Sequence, residues 1–285
     1  MSIAAPERPG PSVPPPVVVP PSRVDTAGWR GTGRPNQIRV LAGRSLRTLR
    51  EPIRLAPSLI QPFILLVLFG QVFSSIAETP GFPDGITYID YLLPAILVTT
   101  SVGAGLKSGA ALTTDLRNGI IARFRAMPLH TSSILIARII ADTVLNAVEL
   151  LIMVAVGSLL FGYDPPGGLL GTFCALLLGL LVGFTLGWVF MGVSAKLRNP
   201  EAVQTIGSLI TFPLMFASSA FVTPDNLPTW LRVFAEVNPM SHAIDAARLL
   251  ALGDGSLGVV ITPVLSCAFI ILIAAPLAIR SFRRP

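Results

Sequence analysis

Six long apolar stretches, separated by short polar segments, dominate the pattern of this chain. Each is close to the ~20 residues that an α-helix needs to cross about 30 Å of hydrocarbon. They lie at residues 56–77, 91–111, 134–161, 168–195, 203–222 and 257–279. The pattern predicts an all-α integral membrane protein with six transmembrane helices, of which the third and fourth are joined by a tight turn at 162–168.

Two further segments have an amphipathic pattern. In residues 37–54, apolar positions such as Ile38 share one helical face and arginines such as Arg39 cover the other. This pattern predicts an interfacial helix that anchors the first span, with contact to a cytoplasmic partner as a sharper interpretation. The apolar, proline-broken segment 223–255 predicts short helices that rest on or dip into the outer leaflet.

The N-terminal part has a different composition. Nine of the first 35 residues are proline, and no apolar signal-peptide core is found among them. We therefore expect a disordered, proline-rich cytoplasmic tail over residues 1–36, for which a spacer role and a docking role are both open. Residues 37–285 are expected to form one domain that holds all six spans.

Lysine and arginine are unevenly distributed across the predicted membrane. Nineteen of the 21 basic residues fall on the side that carries both termini, and the other side holds only Arg232 and Arg248. Because positively charged loops remain in the cytoplasm, both termini are predicted to be cytoplasmic. The expected location is a bacterial inner membrane, and the high isoelectric point reflects loops beside anionic lipid rather than a nucleic-acid partner.

The composition argues against a soluble enzyme. Apolar residues make up 52% of the chain and charged residues 13%, so the membrane is the solvent for most of it. His130 and His242 are predicted on opposite sides, and no catalytic or metal-binding motif is present. Residues 103–108 do not satisfy the GxxxxGK[ST] phosphate-loop pattern. We therefore expect this chain to bind no cofactor, metal or ATP itself.

Four polar residues of the third predicted span share one helical face: Arg138, Asp142, Asn146 and Glu149. Arg138 is predicted at the cytoplasmic interface, and Glu149 lies about 16 Å further along the helix, near mid-bilayer. One interpretation is an Arg138–Asp142 pair with Glu149 bonded to a neighbouring span. The alternative is that Glu149 lines a path for a cationic or amphipathic substrate.

Small residues recur at every fourth position of the fourth predicted span: Gly171, Ala175, Gly179, Gly183 and Gly187. Such a ridge lets another helix backbone approach closely. Packing within the chain and a seam between subunits are both open.

Two groups of residues form motifs. The first, in residues 115–142, consists of Asp115, Gly119, Arg123, Phe124, Arg125, Met127, Pro128, Arg138 and Asp142. The second, before the last span, consists of Asn238, Pro239, Asp245, Ala246, Ala247, Arg248 and Gly253. Together they resemble type-2 ATP-binding-cassette (ABC) exporter permeases, particularly the daunorubicin-resistance-like branch, and the resemblance covers residues 37–285.

The resemblance implies a division of labour between this chain and its partners. A separate cytoplasmic ATPase dimer would hold ATP and Mg²⁺, and residues 115–130 would be the coupling helix that contacts it. Arg117, Arg123 and Arg125 would pair with acidic residues of the ATPase, although these arginines also satisfy the positive-inside rule alone. Residues 224–252 would be re-entrant helices capping the exit, and a second permease copy or a homologous permease would complete the path.

The function implied is the permease subunit of an exporter for a hydrophobic or amphipathic compound such as a drug, antibiotic or lipid. Export of a polysaccharide or glycolipid is the alternative within the same superfamily. An ion-coupled secondary transporter using Asp142 and Glu149 is a third hypothesis, and no inverted repeat supports it. An integral-membrane enzyme is a fourth, which the missing catalytic cluster disfavours.

Overall fold

The structure, a computed structural model, describes residues 33–45, 56–72, 85–119, 131–216, 218, 220, 229, 238–253 and 257–283. Eight helices and no strand are found in these ranges. The helices are α1 (Arg34–Ser45), α2 (Ala56–Val72), α3 (Tyr88–Arg117), α4 (Thr131–Phe161), α5 (Gly168–Leu197), α6 (Pro200–Phe216), α7 (Pro239–Leu252) and α8 (Leu257–Arg283). The predicted all-helical fold is confirmed.

Four of these helices, α3, α4, α5 and α8, are long and apolar enough to cross a membrane. They coincide with four of the six predicted spans. The other two predicted spans, 56–77 and 203–222, begin close to α2 and α6, which have 17 residues each. Their C-terminal ends extend beyond the described residues, so the count of six spans stays a prediction.

Local sequence signals set the helix ends. Thr87 and Asp90 form a capping box at the start of α3, in which each side chain accepts a hydrogen bond from the other residue's backbone N–H. At the start of α6, the Asn199 side chain accepts from the Glu201 N–H at 3.1 Å. Pro200 occupies the first helical position, where its missing N–H costs nothing.

The centre of the bundle is the pair α3 and α5, which cross with their backbones almost in contact. A methyl group added to Gly105 of α3 would lie 2.9 Å from the Gly187 nitrogen and 3.0 Å from the Gly183 oxygen of α5. Near the start of α5, a methyl group at Gly171 would collide with the Leu250 carbonyl oxygen of α7. The small-residue ridge therefore packs against helices of the same chain, which confirms the intramolecular interpretation for these positions.

The turn between α4 and α5 also contacts two other helices, α3 and α7. Its Asp164 N–H donates to Asp90 of α3 at 3.0 Å, and its Gly167 N–H donates to the Ala251 carbonyl of α7 at 2.9 Å. Burial raises the pKa of the Tyr163 hydroxyl to about 12, so this group stays protonated at neutral pH. It lies 3.2 Å from the Thr172 hydroxyl. The tight turn predicted at 162–168 is confirmed.

Helix α1 packs against α4. It begins at Arg34, three residues before the predicted start of the amphipathic segment, and residues 46–54 of that segment lie outside the described part. Ala42 is buried and Leu41 contacts an apolar cluster that includes Leu135 of α4. Arg39 is exposed on the other side, as its position in the amphipathic pattern predicts.

Helix α8 lies at the edge of the bundle and exposes large apolar side chains. Leu265, Phe269 and Leu272 are 63%, 64% and 74% exposed. A soluble protein rarely exposes so much apolar surface on one helix. This surface suits hydrocarbon, in agreement with a membrane-spanning role.

Candidate functional site

One cluster of charges joins α3 to α4. We call it the Arg138 end, defined by Ser108, Asp115, Arg138 and Asp142. The Arg138 guanidinium donates to Asp142 at 3.2 Å and also to Asp115 of α3. Asp142 accepts a further hydrogen bond from the Ser108 hydroxyl. One arginine is therefore shared by carboxylates from two helices, and the predicted Arg138–Asp142 pair is confirmed.

The residues predicted to couple to an ATPase begin at this end. Asp115 and Arg117 lie in the last turn of α3, and Arg117 contacts Glu201 of α6 at 3.1 Å. Gly119 follows the helix with a φ of +68°, a conformation that favours glycine. The remaining predicted coupling residues lie outside the described part of the chain: Arg123, Phe124, Arg125, Met127 and Pro128.

Polar contacts continue from the Arg138 end into the bundle. The Asn146 side chain donates to the Ser101 hydroxyl of α3 at 3.1 Å. Asp142, Ser108 and Asn146 line a narrow cleft with about 10 Å³ of free space, close to what one water molecule needs. The interior here is polar but too small for an organic compound.

Glu149 lies one helical turn beyond Asn146 and is 6% exposed. Its Oε1 accepts a hydrogen bond from the Ser58 hydroxyl of α2, which confirms the predicted bond to a neighbouring helix. Its Oε2 has no hydrogen-bond partner within the described part of the chain. No distance in the described residues relates Glu149 to a transport path, so that interpretation stays a prediction.

A second charged cluster lies at the opposite end of α3. We call it the Arg248 end, defined by Tyr91, Ala220, Asp245 and Arg248. The Arg248 guanidinium lies 3.5 Å from the centroid of the Tyr91 ring. It donates to the carbonyl oxygens of Tyr91 at 3.1 Å and Ala220 at 3.4 Å, and to the Asp245 carboxylate at 3.0 Å. These contacts fix α7 against α3.

The second motif also contains the start of α7. The Asn238 side-chain oxygen accepts from the Met240 N–H at 3.0 Å, and its amide donates to the Leu214 carbonyl of α6 at 2.7 Å. Pro239 is the first helical residue. The motif therefore builds one 14-residue helix, Pro239–Leu252, tied at both ends to its neighbours.

Several partners of these motif residues are not identified by sequence pattern. Ser58, Ser101, Ser108 and Tyr91 are unremarkable members of apolar helices. A hydroxyl at the same depth as a buried charge is a weak signal, and it becomes specific only once the register between two helices is known. For the pairing of Asp115 with Arg138 the sequence carries a stronger signal, because both residues belong to the same motif.

Comparison with known proteins bears on these motifs directly. The sequence profile of the ABC-2 type transporter family matches residues 36–252. This range includes both charged ends and helices α2 to α7 in full.

Individual relatives extend the match. The chain is 30% identical over 233 residues to a daunorubicin resistance ABC transporter permease protein of Streptomyces coeruleorubidus, covering 81% of this chain and 80% of the relative. It is 24% identical over 278 residues to a probable doxorubicin resistance ABC transporter permease protein of Mycobacterium tuberculosis, covering 92% and 96%. A putative transport permease of Porphyra purpurea is 29% identical over 209 residues, covering 72% and 70%. Motifs, helical membrane architecture and these matches agree, and the chain belongs to the ABC-2 type transporter family of membrane permeases.

Proposed function

We propose that this chain is the permease subunit of an ATP-driven exporter that moves a hydrophobic or amphipathic compound, such as a drug, antibiotic or lipid, out of the cell. It has six spans and both termini in the cytoplasm of a bacterial cell. ATP and Mg²⁺ are held by a separate ATPase dimer. A second permease, identical or homologous, completes the path.

The observation that carries the proposal is the ion pair by which Arg138 joins the end of α3 to the start of α4, the two helices that residues 119–130 connect in the sequence. Asp115 in the last turn of α3 and Arg138 in the second turn of α4 are paired. A force that the ATPase exerts on residues 119–130 would therefore act on α3 and α4 jointly. Because α3 is also packed against α2, α5, α6 and α7, this force reaches most of the bundle.

The proposed coupling has an energetic requirement. An ATPase shifts the permease between two conformations only if it binds them with different affinity. Arg123 and Arg125, in the segment proposed to contact the ATPase, would supply charge-assisted contacts to acidic residues there. The short helix α7 and the preceding residues from 224 act as re-entrant elements at the outer exit.

Co-purification with the ATPase tests this proposal. Arg123→Glu/Arg125→Glu is compared with the wild-type chain, and Lys196→Glu/Arg198→Glu is the matched control because it reverses two exposed charges predicted on the same side. We expect the first variant alone to lose the complex and ATP-dependent efflux while still inserting into the membrane. Equal complex formation in both variants, or efflux without any ATPase, contradicts the proposal.

The substrate class requires a separate measurement. The relatives named for daunorubicin and doxorubicin resistance support an amphipathic compound. Cells lacking the chain are compared with complemented cells for accumulation of a fluorescent amphipathic compound and for surface polysaccharide. Loss of surface polysaccharide with unchanged accumulation would favour the alternative exporter class.

A further inference from the structure

Two buried oxygen atoms on one face of α4 have no hydrogen-bond partner among the described residues. They are Asn146 Oδ1 and Glu149 Oε2, and their residues are 3% and 6% exposed. Residues three positions apart on a helix have Cβ atoms about 5–6 Å apart, so these two side chains leave α4 side by side. A carboxylate oxygen and a side-chain amide oxygen are both hydrogen-bond acceptors.

The charge on Glu149 has no counterpart among the described residues. Its single polar contact there is the neutral Ser58 hydroxyl. Arg138 lies 11 positions away, about 16 Å along the helix, and is already shared by Asp115 and Asp142. A buried carboxylate without a nearby positive charge is unfavourable, because burial removes its hydration.

We propose that Asn146 Oδ1 and Glu149 Oε2 form a binding site for one small monovalent cation. Two sources share this chemistry: an alkali-metal ion, and the protonated primary amine of an amphipathic compound. The site is a property of the permease alone and does not depend on the direction of transport or on the ATPase.

The ligand set selects a monovalent ion. One carboxylate balances one positive charge, whereas divalent cations need several charged ligands. The described residues contain no group of three or more His, Cys, Asp or Glu side chains that could hold a metal ion. The cleft beside Asn146, with about 10 Å³ of free space, is close to the size that a single water molecule needs.

Carbodiimide labelling tests the site. Dicyclohexylcarbodiimide modifies carboxyl groups in apolar surroundings, and mass spectrometry of the peptide carrying Glu149 measures the product. The purified permease is labelled in choline chloride, NaCl, KCl or n-hexylammonium chloride at equal ionic strength. At ten times the dissociation constant, a bound cation lowers the labelling rate about tenfold relative to choline, by mass action.

The pattern of protection identifies the source of the cation. Protection by Na⁺ or K⁺ identifies an alkali-metal site, and protection by hexylammonium alone identifies an amine site. Glu149→Gln must lose the product on this peptide. Asn146→Ala should keep labelling but lose protection, and Asn146→Asp, which retains an oxygen ligand, should keep both. The two Asn146 variants separate loss of a ligand from a general loss of structure, since only one is expected to lose protection.

Three outcomes overturn the proposal. The first is equal labelling in all four salts. The second is equal protection in the wild type and in Asn146→Ala. The third concerns Arg54, which lies four positions before Ser58 in the sequence and outside the described residues. If Arg54→Gln creates cation protection that the wild type lacks, Arg54 is the native counter-charge and no cation site exists in the wild-type protein.

Discussion

The Arg138 end and the Arg248 end both use one arginine to hold α3, but they surround it differently. The Arg138 side chain is 21% exposed and its partners are two carboxylates, themselves 28% and 23% exposed. The Arg248 side chain is 8% exposed, and two of its partners are backbone carbonyls. Ion pairs near water can exchange partners at low cost, whereas water cannot replace a hydrogen bond that is buried in the protein.

Because of this difference, the contacts at the Arg138 end can rearrange more easily than those at the Arg248 end. At the Arg138 end, removing the arginine leaves acids that water can still reach. At the Arg248 end, it removes buried hydrogen bonds that water cannot replace. We therefore expect the Arg138 end, which adjoins residues 119–130 in the sequence, to rearrange more readily than the Arg248 end, which α7 builds.

The largest effect is expected at Arg248. Arg248→Met removes the hydrogen bonds that the guanidinium donates to the Tyr91 and Ala220 carbonyls and its contact with the Tyr91 ring, and should lower the free energy of unfolding by about 3 kcal/mol. Denaturation in mixed micelles measures it. Asp245→Asn is the control, because the Asp245 side chain is 40% exposed, and it should cost less than about 1 kcal/mol. Similar losses in both variants would mean that the ion pair dominates the Arg248 end.

The second effect compares two glycines of α5, one nearer each end. Gly171→Ala places a methyl group against the Leu250 carbonyl oxygen and should destabilise the protein by about 2 kcal/mol. A methyl group at Gly192 would have its nearest contact with Ala278, at an ordinary distance of 3.7 Å. Gly192→Ala should therefore be neutral or slightly stabilising, because alanine favours helices. Thermal unfolding of the two variants side by side is the measurement. Equal midpoints would remove the distinction in packing.

A smaller loss of stability is expected at the Arg138 end. Arg138→Gln should cost about 1 kcal/mol, since its partners remain partly hydrated. Its effect on transport should be larger, because α3 and α4 no longer move jointly. Efflux should fall while ATPase binding persists. Arg138→Gln/Asp115→Asn should regain stability but not efflux, and recovery of both would make the Arg138 end a stabilising contact alone.

The smallest effect is expected for the exposed pair Arg117–Glu201. Its side chains are 57% and 73% exposed at a separation of 3.1 Å. Glu201→Gln should change the free energy of unfolding by less than about 0.5 kcal/mol and lose what little it contributes at high salt. A salt-independent loss above 1 kcal/mol, by contrast, would place this pair with the buried contacts of the Arg248 end.

Much of the fold follows from the sequence because hydrophobic periodicity and helix-capping residues act locally. The turn at 162–168, the start of α6 at Asn199–Pro200 and the Arg138–Asp142 pair all depend on neighbours within a few positions. The spacing of small residues also predicts close packing of α5. These features need no knowledge of how helices are arranged.

The contacts that give the two ends their character depend on that arrangement. Arg248 reaches the Tyr91 carbonyl across 157 positions, and Glu149 reaches Ser58 across 91. Helix periodicity shows which face is polar but not which neighbour that face meets. For this reason the sequence predicts Asp142, on the same helix, as a partner of Arg138 but does not predict its second partner, Asp115 of α3.

The close crossing of α3 and α5 constrains where cargo can travel. At Gly105 and Gly183 the two backbones leave space for little more than a hydrogen atom, whereas binding sites for drug-sized compounds occupy about 300–1,000 Å³. A compound of that size cannot pass between these two helices unless they separate completely. While α3 and α5 stay packed, the route of any such compound must therefore lie elsewhere in the transporter, so this crossing is a closed boundary rather than an opening.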